Sequence, residues 1–182
     1  MKLLIIVCII VCLSGFNALE AHPASIKVIN VSPDEVSSSL PSSLTLLCTT
    51  DLEPSRCMAA VNVLAKVLER YSGSNLGKWK FVVASSDQRK QIVKTLGGDT
   101  ESPAFTELEA RVTVFDEAVF DNKSARRESI AQQYGQPVSG FLDYAVTHEM
   151  GHAICQEHDE KLADAYGLDL RMGIIPACTN QR

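Results

Sequence analysis

Basic runs, histidines and long apolar stretches are all scarce in this chain. Lysine and arginine number 17 against 22 acids, for a formal net charge of −5. The densest basic group, Lys123, Arg126 and Arg127, has the spacing of a solvated helix face rather than of a phosphate-binding patch. Nucleic acid is therefore not an expected partner. Beyond residue 21 no segment is apolar for long enough to span a bilayer. The cysteines lack CxxC spacing, which argues against a thiolate metal site. Tryptophan occurs once, at Trp79, and histidine four times. Three of those histidines, His148, His152 and His158, fall in the single stretch HEMGHAICQEHD.

The chain begins with Lys2, an apolar run from Leu3 to Leu13, and small residues around Ala18 and Ala21. A short basic start followed by an apolar stretch too short to cross a bilayer reads as a secretory signal over residues 1–21, cleaved near Ala21. The expectation is an extracellular protein with no stable membrane insertion after cleavage. Cys8 and Cys12 leave with that segment, and Cys48, Cys57, Cys155 and Cys178 remain. An even number in an exported chain implies two disulfides with three possible pairings. Cys48–Cys57 and Cys155–Cys178 close the smallest loops and are preferred.

Residues 22–50 are rich in Ser and Pro and read as an N-terminal arm or propeptide. A domain over residues 51–182 follows. From about residue 54, Met58, Val61, Leu64, Ala65, Leu68 and Tyr71 recur at helical spacing until Gly73. KWKFVVAS (78–85) and ARVTVFDEAVF (110–120) read as strands. In the second, Val112, Val114 and Asp116 share one face, while Thr113 and Phe115 share the other. SDQRKQIVKTLGG and SARRESIAQQYG read as helices between and after them. GFLDYAVTHEMGHAIC reads as a further helix, and EKLADAYGLDLRMG as the last one, with Leu162, Ala165, Tyr166 and Leu170 inward. The order predicts an α+β domain with a small sheet and a helical second half.

Residues four apart on a helix share a face, so His148 and His152 can present imidazole nitrogens to one ion. Zinc suits that pair, because it binds imidazole in tetrahedral sites at about 2.0–2.1 Å. Glu149 is left over as a general base that takes a proton from water and returns it to a leaving amine. H-E-x-x-H on a helix is the pattern of metal-assisted peptide hydrolysis, which makes a peptide or protein the expected substrate. Catalytic zinc takes three protein ligands, and Glu160, His158 and Asp164 are all candidates for the third. Glu157 reads as a loop charge. Tyr144 and Tyr166 could face an oxyanion, although core packing is the simpler role for both.

The stretch resembles the zincin metallopeptidases, over roughly residues 139–170. HEMGHAICQEHD is similar to the metzincin pattern H-E-x-x-H-x-x-G-x-x-H-D, with His158 as third ligand, but it carries Cys155 where that family turns on a glycine. Glu160-Lys-Leu-Ala-Asp164 is similar to the E-x-x-x-D of gluzincins. That likeness implies Glu160 as third ligand and Asp164 as the carboxylate that orients a ligand histidine. It also implies an active-site helix followed by an antiparallel C-terminal helix. In zincins an edge strand runs beside the substrate, and ARVTVF is the candidate for it. The alternative to a secreted zinc endopeptidase is a catalytically silent binding protein on the same scaffold.

Overall fold

The computed structural model describes residues 29–32, 35–36, 43–71 and 73–179. The expected signal segment, its cleavage site and the start of the arm lie outside them. Five strands form one sheet: β1 (Ile29–Val31), β2 (Thr45–Thr49), β3 (Lys80–Ala84), β4 (Ala104–Glu107) and β5 (Val112–Asp116). Their order is β1-β2-β3-β5-β4. The first four in that order run parallel, and β4 pairs antiparallel with β5. Five α-helices are present among the described residues: α1 (Pro54–Arg70), α2 (Ser86–Thr95), α3 (Ala125–Gln133), α4 (Phe141–Cys155) and α5 (Glu160–Arg171). The fold is thus mixed α and β, with a small sheet and a helical second half.

Parallel neighbours need crossover connections, and α1 and α2 supply them between β2 and β3 and between β3 and β5. They lie on opposite faces. Leu46, Cys48, Phe81, Val83 and Phe115 pack in one cluster with Val61, Leu64 and Leu68 of α1 and Val146, Met150 and Ala153 of α4. Leu47, Val82, Ala84, Val112 and Val114 face Ile92 of α2. A sheet covered on both sides explains why β3 reads as the unbroken run KFVVA rather than as an alternation. β5 shows the expected split, with Val112 and Val114 on the α2 side and Phe115 on the other.

Three strands were not foreseen. β1 and β2 fall within residues 22–50, so that Ser/Pro-rich segment contributes strands to the sheet instead of standing apart from the domain at residue 51. β4 follows Pro103 and is only four residues long. Three inward positions also differ from expectation: Met58, Leu162 and Ala165 are exposed. On α5 the buried stripe is Ala163, Tyr166, Gly167 and Leu170.

Both preferred disulfides are present. Cys48–Cys57 ties β2 to the first turn of α1, and Cys155–Cys178 ties the C-terminal tail to the end of α4. Among the described residues no helix is long and apolar enough to cross a membrane.

Candidate metal centre

Helix α4 is buried on most of its surface, from Phe141 through Cys155. One side faces the core and another faces α5, and His148, Glu149 and His152 open onto a groove bounded by β4 and the start of α5. Glycines set how closely the two helices approach. A Cβ on Gly151 would sit 2.6 Å from the Ala163 carbonyl oxygen, and one on Gly167 would sit 2.9 Å from that of Thr147. Residue 151 therefore meets 163 while 167 meets 147, which makes α5 antiparallel to α4.

The turn between them occupies Gln156 to Asp159. The expected objection to Cys155 as a turning residue dissolves, because Cys155 is still helical and Gln156 makes the turn with φ 52°. Glu157 is more than a loop charge. It is buried, its carboxylate accepts from the backbone N–H groups of His158 (2.9 Å) and Asp159 (3.0 Å), and its carbonyl oxygen lies 2.6 Å from His152 Nδ1. Asp159 then caps α5 by accepting from the N–H groups of Lys161 and Leu162, which starts that helix at Glu160.

The two imidazoles are fixed by what they touch. A carbonyl oxygen only accepts, so His152 Nδ1 carries the proton and its Nε2 presents a lone pair. His148 Nδ1 lies 2.8 Å from Asp164 Oδ1, an acceptor likewise, so in the neutral ring His148 Nε2 also presents a lone pair. These two nitrogens face each other at 3.2 Å. Glu160 Oε2 lies 3.0 Å from His148 Nε2 and 3.6 Å from His152 Nε2. With both rings neutral, three electron-pair donors thus converge with no hydrogen between them. Ligands about 2.05 Å from a tetrahedral zinc stand about 3.3 Å apart, so the donor set and its spacing fit that ion. His148, His152 and Glu160 are the one such trio among the described residues.

Asp164 sits where a carboxylate orients a ligand histidine, one turn beyond Glu160. It also accepts from the Tyr144 hydroxyl at 3.1 Å. Burial, together with Asp164, pushes the Tyr144 phenol well above its usual pKa, so it stays a donor. Tyr166 instead points to Thr179. His158 lines the groove but is exposed and lies outside the trio. Burial opposes charge on His148, yet Glu149, Asp164 and Glu160 outweigh it and hold the ring above its ordinary 6.5.

Glu149 is buried in the same groove, and that burial raises its pKa against the pull of both histidines. The edge strand beside it is β4, not ARVTVF; most of that segment is β5, which has neighbours on both sides. Thr106 of β4 donates to Glu149 Oε2 at 2.6 Å. No sequence signal marked Thr106, since a lone threonine in a four-residue strand carries no pattern.

No family model matches the chain, and neither a curated protein nor a solved structure matches it significantly.

Proposed function

We propose that this chain is a secreted zinc-dependent peptidase of the zincin type, with His148, His152 and Glu160 as ligands and Glu149 as general base. The observation that carries the reading is the convergence of three lone pairs 3.0–3.6 Å apart beside a buried carboxylate. Zinc held there supplies the Lewis acidity that polarises a carbonyl and brings the pKa of water down towards about 7. The protein's own groups do the rest. Asp164 and the Glu157 carbonyl keep both histidines in the tautomer that presents Nε2. Glu149 takes a proton from the attacking water and passes it to the leaving amine.

The outer edge of β4 supports an extended peptide as substrate. Among the described residues it has no strand neighbour in the sheet, and it borders the groove. A peptide added there would pair by backbone hydrogen bonds. Among the described residues the groove lining includes Asp99, Glu107 and Glu157 besides the site acids, and no Lys or Arg, so peptides with basic residues should be favoured. The two disulfides and the N-terminal segment support an extracellular setting.

The test is the metal content of the purified chain together with hydrolysis of an unfolded protein. Wild type should carry one zinc per chain and cleave. Glu149→Gln should keep the zinc and lose about 10²–10⁴-fold in rate. Zinc without hydrolysis in the wild type would point to the silent binding protein instead, and a chain that takes up no zinc would end both readings.

A further inference from the structure

The carboxylate of Glu149 stands at the end of a line of hydrogen bonds that crosses the sheet from the core. Trp79 is 1 % exposed and packs in the cluster shared by α1 and α4. Its indole Nε1 donates to Thr113 Oγ1 at 3.0 Å. Thr113 Oγ1 lies 2.7 Å from Thr106 Oγ1, its register partner across β4 and β5. Thr106 Oγ1 then reaches Glu149 Oε2. An indole only donates and each hydroxyl has one hydrogen. With Glu149 ionised the directions are therefore unique: Trp79 to Thr113, Thr113 to Thr106, Thr106 to Glu149.

We propose that Thr106, Thr113 and Trp79 are positioning residues that hold Glu149 through Oε2 and so aim its other oxygen, Oε1, at the water to be deprotonated. The proposal rests on the peptidase reading above for the identity of that water, but not for the line itself. Valine, phenylalanine and valine would fill the same space without buried polar atoms. The polar set instead ends on Glu149, a buried acid of the groove that is neither a ligand nor bonded to a histidine. Threonine suits the two middle places because its branched Cβ restricts χ1, which keeps each hydroxyl where the next needs it. Thr106 Oγ1 is the only hydrogen-bond partner of the Glu149 carboxylate among the described residues.

Because Trp79 is the only tryptophan, its indole N–H gives one resonance that reports on the far end of the line. Glu149→Gln should shift that resonance, and the shift should vanish when Thr106→Val is already present. An equal shift in both backgrounds would overturn the proposal. In turnover, Thr106→Val should keep its zinc and its KM while kcat falls about 10–100-fold, the range seen when an outer partner of a site residue is lost. Thr106→Ser, which restores the hydroxyl, should recover most of it. An unchanged kcat in a zinc-loaded Thr106→Val would overturn the proposal and leave the peptidase reading standing. An inactive wild type would sink the peptidase reading, and the indole shift would then decide this one alone. If Thr106→Val does not fold, Thr113→Val breaks the same line one bond further out and is judged by the same two measurements.

Discussion

Two of the clusters of charged and polar groups among the described residues are built on opposite principles. At the end of β5, Asp116 is fully buried and surrounded by donors. Arg126 reaches its Oδ2 at 2.8 Å, Ser86 at 2.9 Å and the Arg89 guanidinium at 3.5 Å, while the Ala118 N–H reaches Oδ1 at 2.9 Å. Arg89 continues to the carbonyls of Thr100 and Ser102, which pins the approach to β4. At the end of α4, by contrast, acceptors face acceptors across 3.0–3.6 Å. The first cluster pairs its buried acid with cations and donors, leaving Arg89 Nε in the ion pair but without a hydrogen bond, and it braces the wall of the groove. The second is complete only around a cation, because lone pairs brought together repel unless a proton or a metal lies between them. Charge clusters in one fold are thus told apart by whether donors and acceptors balance, not by how many acids they contain.

Breaking the balanced cluster should produce the largest loss of stability. Asp116→Asn removes the buried carboxylate that pairs with Arg89, and leaving a buried ion without its partner costs about 3–5 kcal/mol. Urea denaturation of the metal-free protein should show that loss directly. A change below about 1 kcal/mol would mean that the cluster is not structural.

The unbalanced cluster should answer in the other way. Glu160→Ala removes a side chain that is 77 % exposed, so the metal-free protein should change by less than about 0.5 kcal/mol. Its zinc affinity should nevertheless fall by at least about 100-fold, since even an outer partner of a ligand is worth about 10–100-fold. Competition with a chromophoric chelator reads the affinity, and His158→Ala, tested beside it, should hardly change it. If the two variants exchange those outcomes, His158 is the ligand.

Gly167→Ala sits between these cases, because it acts on both stability and metal. A Cβ there would meet the backbone of Thr147 and His148 at 2.9–3.0 Å, and backbone cannot swing aside. The helices must separate, at a cost of about 1–3 kcal/mol. Glu160 and Asp164 ride on α5 and would withdraw from the histidines, so zinc affinity should drop in the same variant. Loss of stability with zinc affinity intact would show that the close approach serves packing alone.

Much of the site was legible because helical periodicity is a strong constraint. Spacing of four put His148 and His152 on one face, and an E-x-x-x-D segment after a short loop put Glu160 and Asp164 opposite them. The cysteines paired by the shortest loops. What escaped was set by tertiary contact. β1 and β4 are three and four residues long, too short for an alternation to stand out, and β2 is hidden behind Ser and Pro. The inward stripe of α5 is rotated away from Leu162 because Gly167, lacking a Cβ, is the residue that can touch α4. Glycine was expected where the helix must turn, yet Gln156 takes the left-handed conformation, while the Cys155–Cys178 bridge and the Glu157 hydrogen bonds hold the turn around it. Thr106 mattered only once β4 lay beside Glu149.

The smallest of the expected effects is also the one that separates the proton from the metal as the filler of the unbalanced cluster. Glu149, Asp164 and Glu160 hold His148 above its ordinary 6.5, against burial. In the metal-free protein a raised pKa means that the proton stabilises the fold. That contribution is fully present below about 6.5 and is lost as pH rises through the raised value. In the zinc-loaded protein the sign reverses, because zinc needs His148 Nε2 deprotonated. Below the raised pKa each unit of acidification should cost about tenfold in apparent zinc affinity, one proton being displaced per ion bound. The increase in Tm on adding zinc should therefore shrink as pH falls, and the shrinkage should begin above the ordinary histidine range. His148→Ala should abolish the metal-free part of this profile, whereas Asp116→Asn, which touches only the balanced cluster, should lower Tm at every pH and leave the profile's shape unchanged. A zinc effect flat from pH 8 to 6 would mean that no proton competes at Nε2, and the account of two lone pairs in need of one cation would fail.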